Sequence, residues 1–134
     1  AIEAYTKSIS FMIESSRDKD IVFYNRGVVL SKLNESKKAI MDFEEALRLN
    51  YKDENYHLAL GTEYLKADQY AKAIPYLQHA SETDKSSPLA FKNLGTAYYK
   101  NLQYEKALET WTKGVEKIRT MVRLYSVSLK FMEN

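Results

Sequence analysis

The stretch Asn93-Leu94-Gly95-Thr96-Ala97-Tyr98-Tyr99, followed by Tyr104-Glu105-Lys106-Ala107-Leu108 and then Trp111, decides how the rest of the chain is read. Moved back by 34 residues, the pattern recurs as Leu60-Gly61, Tyr64, Tyr70-Ala71-Lys72-Ala73-Ile74 and Leu77. Moved back by 34 again, it is Arg26-Gly27, Leu30, Lys38-Ala39-Ile40 and Phe43. Gly27, Gly61 and Gly95 form one series, Ala39, Ala73 and Ala107 a second, and Ala46, Ala80 and Gly114 a third that is always small. Leu30, Tyr64 and Tyr98 are always large, as are Phe43, Leu77 and Trp111. Small residues let facing backbones approach and large ones fill the gap, so the alternation suits interlocking helices. A fixed period of this length marks stacked helix-turn-helix units.

These residues resemble the tetratricopeptide repeat (TPR) family, whose pattern sets Leu-Gly, Tyr, Ala, Phe and Ala at the same offsets. The resemblance covers residues 20–121 as three full repeats, 20–53, 54–87 and 88–121. It implies an all-α fold, a right-handed superhelix (α-solenoid) of antiparallel helix pairs. Residues 1–15 read as the second helix of a truncated repeat, because Ala1-Ile2, Tyr5 and Ser8-Ile9 match Ala39-Ile40, Phe43 and Ala46-Leu47 at a separation of 38. The chain opens at Ala1 in mid-pattern without an initiator methionine, and is expected to be a fragment of a longer array. Residues 122–134 read as a capping helix, so that 1–134 forms a single domain. The alternation over 125–131 is strand-like, but a solenoid has no sheet to receive a strand and its last repeat needs its apolar edge covered. No Gly or Pro separates this stretch from the preceding helix, which leaves one continuous helix as the alternative.

Local chemistry sharpens the boundaries. Asp20, Asp53 and Ser87 stand where side-chain oxygens would cap the first helices of the three repeats, Ser87 with Pro88 in the first turn behind it. Pro75 falls inside a second helix, where the lost backbone hydrogen bond predicts a modest kink rather than a break. Trp111 falls in register with Phe43 and Leu77 and is expected in the core. Lys32, Lys66 and Lys100 recur at the ends of first helices, where a cation favours the negative end of the helix dipole. A basic rim for an acidic peptide is the other reading of that series.

Composition narrows the function. Apolar residues at 45% and charged residues at 28% describe a folded domain rather than a disordered chain. With no cysteine, disulfides and thiolate metal sites are excluded. A net charge of +2 with interspersed signs carries no nucleic-acid footprint. No apolar run reaches the length of a membrane span, so membrane insertion is not expected. The compartment is not legible, with the cytoplasm slightly favoured. Only two histidines occur, and His57 stands where Phe23 and Phe91 stand in the other repeats, which favours packing. No phosphate loop, nucleophile elbow or ligand spacing appears, so no catalytic residue, metal or cofactor is expected.

The candidate site is the concave groove that the resemblance implies, lined by the first helix of each repeat. Its residues would be Tyr24, Asn25 and Val28, then Asn55, Leu58, Thr62 and Leu65, then Lys92, Asn93, Thr96 and Tyr99. Ile21, Ala59 and Leu89 face the same way. An asparagine amide both donates to and accepts from a peptide backbone, and tyrosine gives contact area at low entropic cost. The family's two-carboxylate clamp for chaperone tails needs Lys and Asn on one first helix, Asn on the next, and Lys and Arg on the third, where this chain has Tyr24 and Val28, then Ala59, then Leu89 and Asn93, so the clamp is absent. The reading is a non-catalytic adaptor or scaffold that holds a peptide segment or helix of a partner protein. The alternatives are a structural scaffold that self-associates through residues 121–132, or the regulatory domain of a longer enzyme.

Overall fold

The computed structural model describes Glu3, Thr6, Lys7, residues 18–83 and residues 87–133. The expected helix over 1–15 otherwise lies outside the described residues. Six helices follow in order: α1 Lys19–Lys32, α2 Ser36–Leu49, α3 Glu54–Lys66, α4 Tyr70–Ser81, α5 Pro88–Lys100 and α6 Tyr104–Glu133. Each odd helix packs against the even helix after it, and α2 packs on α3 and α4 on α5, so the hairpins stack into an α-solenoid. No strand occurs among the described residues.

The period is written into the turns as well as the core. Asn34, Asp68 and Leu102, again 34 apart, take φ of 61°, 61° and 65°. At each turn the next residue's amide reaches back five residues, Glu35 to Leu30, Gln69 to Tyr64 and Gln103 to Tyr98, all at 2.9 Å. This left-handed closure satisfies carbonyls the helix end would leave bare, and it reverses the chain within three residues. Asn and Asp tolerate the left-handed region; Leu102 occupies it against its own preference.

Helices within a hairpin touch at the glycine series. A methyl group on Gly27 would stand 2.6 Å from Phe43 Cε1, and one on Gly61 2.6 Å from Leu77 Cγ. One on Gly95 would collide with the Trp111 indole. The glycines are therefore the sockets for the Phe43, Leu77 and Trp111 knobs, as the small–large alternation requires. Around them Leu30, Ala39, Ile40, Leu47, Tyr56, Leu60, Ala73 and Leu94 complete one core running the length of the stack.

Three expectations change on the structure. Asp53 and Ser87 do cap α3 and α5, accepting from the amides of Asn55 at 2.8 Å and Leu89 at 2.9 Å. Asp20 does not cap α1, which begins one residue earlier at Lys19. Its carboxylate instead accepts from the Tyr56 hydroxyl at 2.8 Å, tying α1 to α3. Helix α4 continues through Pro75 as expected, with the proline on its exposed side where the lost hydrogen bond falls toward solvent. Residues 122–133 do not form a separate capping helix: they continue α6, which runs 30 residues from Tyr104 to Glu133, the alternative the absence of Gly and Pro had left open, and their side chains are exposed. Finally, Trp111 is 37% exposed rather than buried, because among the described residues no repeat stacks on its outer side.

Candidate functional site: a hollow across three first helices

A hollow of about 290 Å³ opens across α1, α3 and α5. Tyr24 and Val28 line it from α1, Asn55, Leu58, Ala59 and Thr62 from α3, and Leu89 from α5. These are the residues at the inward positions of successive first helices, and the 34-residue period is what brings them to one face. Phe43 closes the hollow from behind, with the Tyr24 ring at 5.8 Å from it and 5.2 Å from Tyr56. Tyr24 is thus half wall and half core. The lining is mostly apolar, with hydroxyl and amide groups from Ser31, Asn55 and Thr62 and the charged Lys32 and Glu63.

The remaining sequence-predicted residues lie outside this hollow. Asn93 sits one helix further on, and its amide donates to Thr62 Oγ1 at 3.0 Å, bridging α5 to α3. Thr96 turns its hydroxyl back to the Lys92 carbonyl at 2.9 Å, the usual fate of a threonine inside a helix. That same carbonyl accepts the Trp111 indole N–H at 3.1 Å. Tyr99 joins an exposed aromatic cluster, 5.3 Å from Tyr104 and 5.9 Å from Trp111. Leu65 packs against the core and Asn25 is exposed on α1. The predicted residues therefore divide into those lining the hollow across α1, α3 and α5, a polar and aromatic group along α5, and Asn25 and Leu65, which belong to neither.

Sequence reasoning passed over Ser31 and Glu63. Glu63 is 2% exposed and lines the hollow, with Oε2 accepting the Ser31 hydroxyl at 2.6 Å. Lys66 Nζ donates to the Ser31 carbonyl at 2.6 Å, so one lysine of the periodic series fastens α3 to the end of α1. A signal was available: the positions equivalent to Glu63 hold Val29 and Ala97, and a carboxylate in a buried apolar series is out of pattern.

His57 packs as expected. His57 is buried, its Nδ1–H donates to the Asp53 carbonyl at 2.9 Å, and its ring stacks on His79 at 3.7 Å. Burial holds its pKa below the ordinary histidine value, so the neutral ring is the folded form. Among the described residues no three His, Cys, Asp or Glu side chains gather as metal ligands, and no helix is long and apolar enough to cross a membrane.

Comparison with known proteins agrees with this architecture. A tetratricopeptide repeat family model matches residues 22–53 and 55–87. Human tetratricopeptide repeat protein 13 is 26% identical over 108 residues, which is 81% of this chain but only 12% of that protein. Among solved structures, MamA from Desulfovibrio magneticus RS-1 superposes with a TM-score of 0.78 at 24% identity, covering 85% of this chain and 64% of that one. YrrB, described as a TPR protein with an unusual peptide-binding site, superposes with a TM-score of 0.71 at 25% identity, covering 81% and 56%. Residues 22–53 and 55–87 match the repeats of the tetratricopeptide family, and the described chain has the fold of tetratricopeptide repeat proteins.

Proposed function

We propose that the chain is a single, non-catalytic adaptor domain that holds a peptide segment or helix of a partner protein in the hollow across α1, α3 and α5. The observation that carries this reading is the convergence of Tyr24, Val28, Leu58 and Leu89 on one open apolar hollow. The exposed Asn55 at its edge offers an amide to a peptide backbone, and Asn25 and Lys92 extend the polar margin. The peptide-binding site described for YrrB supports a peptide as the ligand class. The clamp positions hold Tyr24, Val28, Ala59, Leu89 and Asn93, none of them charged, so recognition in this reading rests on apolar side chains rather than on a terminal carboxylate. No nucleic acid is part of this reading.

The test is selection from a random displayed-peptide library against the chain and against Asn55→Ala combined with Leu89→Glu. Both positions are exposed, so the helices survive the change. The reading expects peptides that compete for one site and lose binding to the double variant at unchanged helicity. Selection of no peptide, or of peptides indifferent to the variant, would reject it. A second reading, self-association through 121–132, is favoured by the exposed apolar side chains of that stretch.

A further inference from the structure

A side chain that fills one junction of the stack is missing from the next. Where α2, α3 and α4 meet, the Tyr76 ring stacks on Tyr64, with centroids 5.7 Å apart and planes at 22°, and lies 6.5 Å from His57. Leu47 is buried on the α2 side, and His79 stacks on His57 at 3.7 Å. One period later, where α4, α5 and α6 meet, Tyr98 and Phe91 stand in the places of Tyr64 and His57. Thr110, Ser81 and Lys113 stand there in place of Tyr76, Leu47 and His79. A cavity of about 470 Å³ opens at that point, lined by all five residues. This is within the usual range of small-ligand pockets, about 300–1,000 Å³. Tyr64 and His57 are 8% and 2% exposed, whereas Tyr98 and Phe91 are only half-buried, so two aromatic faces lose their cover where the tyrosine is lost.

The chain's own repeat identifies what fits. Lys106 Nζ lies 5.8 Å over the Tyr98 ring, but Lys72 Nζ lies 6.0 Å over Tyr64 with Tyr76 also in place, so one tyrosine accommodates both a lysine and a stacked ring. Lys113 is exposed and its Nζ is 3.5 Å from Glu109, which holds it along α6. Thr110 supplies a polar group inside the cavity. It is only 8% exposed, yet its hydroxyl makes no hydrogen bond among the described residues. Thr96, Thr112 and Thr120 all turn theirs back to a carbonyl one turn earlier. A hydroxyl left open in this way can donate to a ligand or accept from it. Ser81, 9% exposed, donates to the Gln78 carbonyl at 2.8 Å, and its oxygen can still accept. An aromatic face beside two hydroxyls suits an aromatic ring that carries a hydroxyl of its own.

We infer that the cavity between α4, α5 and α6 is a binding site for a phenolic ring, which stacks on Tyr98 as Tyr76 stacks on Tyr64 and hydrogen-bonds to Thr110. The site shares no residue with the hollow across α1, α3 and α5, so either can fail without the other. The probe is p-cresol, the tyrosine side chain as a free molecule, titrated into the labelled 134-residue chain and followed by NMR. Saturable shifts at Phe91, Tyr98 and Thr110 are expected in the millimolar range. N-acetyltyrosinamide separates the sources: binding of cresol alone supports a free phenol as the ligand, and binding of both supports a tyrosine carried on a peptide. 4-Methylcyclohexanol, which has the shape without the π face, should bind roughly 2–10-fold more weakly. Thr110→Tyr, which copies Tyr76 into the cavity, should abolish the cresol shifts and raise the melting temperature. Ser81→Leu, which copies Leu47, narrows the same space from α4 and should remove most of the binding at unchanged helicity. No saturable shift at these residues, or equal affinity for 4-methylcyclohexanol, would overturn the inference. So would cresol binding unchanged in either variant, or a lower melting temperature in Thr110→Tyr, which would show that the ring does not fit.

Discussion

Replacing Gly61 by alanine sets two effects of opposite sign against each other, and the geometry says which wins. In an ordinary helix interior the change stabilises by about 0.8–1.0 kcal/mol. Here the new methyl would meet Leu77 Cγ at 2.6 Å and the Leu77 backbone nitrogen at 3.1 Å. Leu77 is fully buried, and neither atom is the free end of a flexible side chain, so α3 and α4 must move apart. Overpacking of this kind costs about 1–3 kcal/mol, and a backbone contact puts the cost toward the upper end. The net destabilisation is about 1–2 kcal/mol. At the average unfolding entropy per residue, a chain of this size loses about 4 °C of melting temperature per kcal/mol, hence a drop of about 4–7 °C. Gly114→Ala is the internal control. Its methyl would lie 3.0 Å from Phe91 Cβ, and the equivalent positions already hold Ala46 and Ala80. That change should leave stability equal or raise it by up to about 1 kcal/mol. Thermal and urea unfolding followed by circular dichroism read both variants. Gly61→Ala stabilising as much as Gly114→Ala would refute the close approach of α3 and α4 at the socket.

Three further changes test other parts of the account. Leu102→Asn, which copies the first-repeat residue Asn34 into the left-handed turn, should raise stability by roughly 0.5–1 kcal/mol in urea unfolding. Asp42→Ala should cost roughly 2–3 kcal/mol, because it removes the two charge-assisted hydrogen bonds that Arg26 donates to the Asp42 oxygens at 2.7 Å; the partial exposure of Arg26 keeps this below the buried-pair range. Below about pH 6.5 the unfolded chain protonates His57 while the folded chain resists, so stability falls as pH drops from there toward the lowered folded value. His57→Phe, the residue at the equivalent positions 23 and 91, should flatten that part of the stability–pH curve.

What was legible in the sequence is what the period controls. Gly27, Gly61 and Gly95, with the large residues that fill them, fixed the hairpins because a socket and its knob must recur together. Asp53 and Ser87 were readable as caps because each precedes its helix directly. Asp20 misled because its carboxylate has two uses within reach, and a hydroxyl from Tyr56 on the next hairpin is invisible to local pattern. Trp111 and residues 122–133 were misjudged for one shared reason. Periodicity says which face packs, but burial also needs a following repeat, and at α6 none follows among the described residues. Glu63 shows the converse: it broke the Val29 and Ala97 series in plain view, yet its role depends on Ser31 across the helix interface.

The most direct measurement of the adaptor account is a titration of the labelled chain with a library-selected peptide, followed by NMR shift mapping. The account predicts that the largest shifts fall on Val28, Asn55, Leu58, Thr62 and Leu89, with smaller ones on Asn93 through its bond to Thr62. Shifts confined to the outer face around Met41 and Arg48, or to the far half of α6, would contradict it.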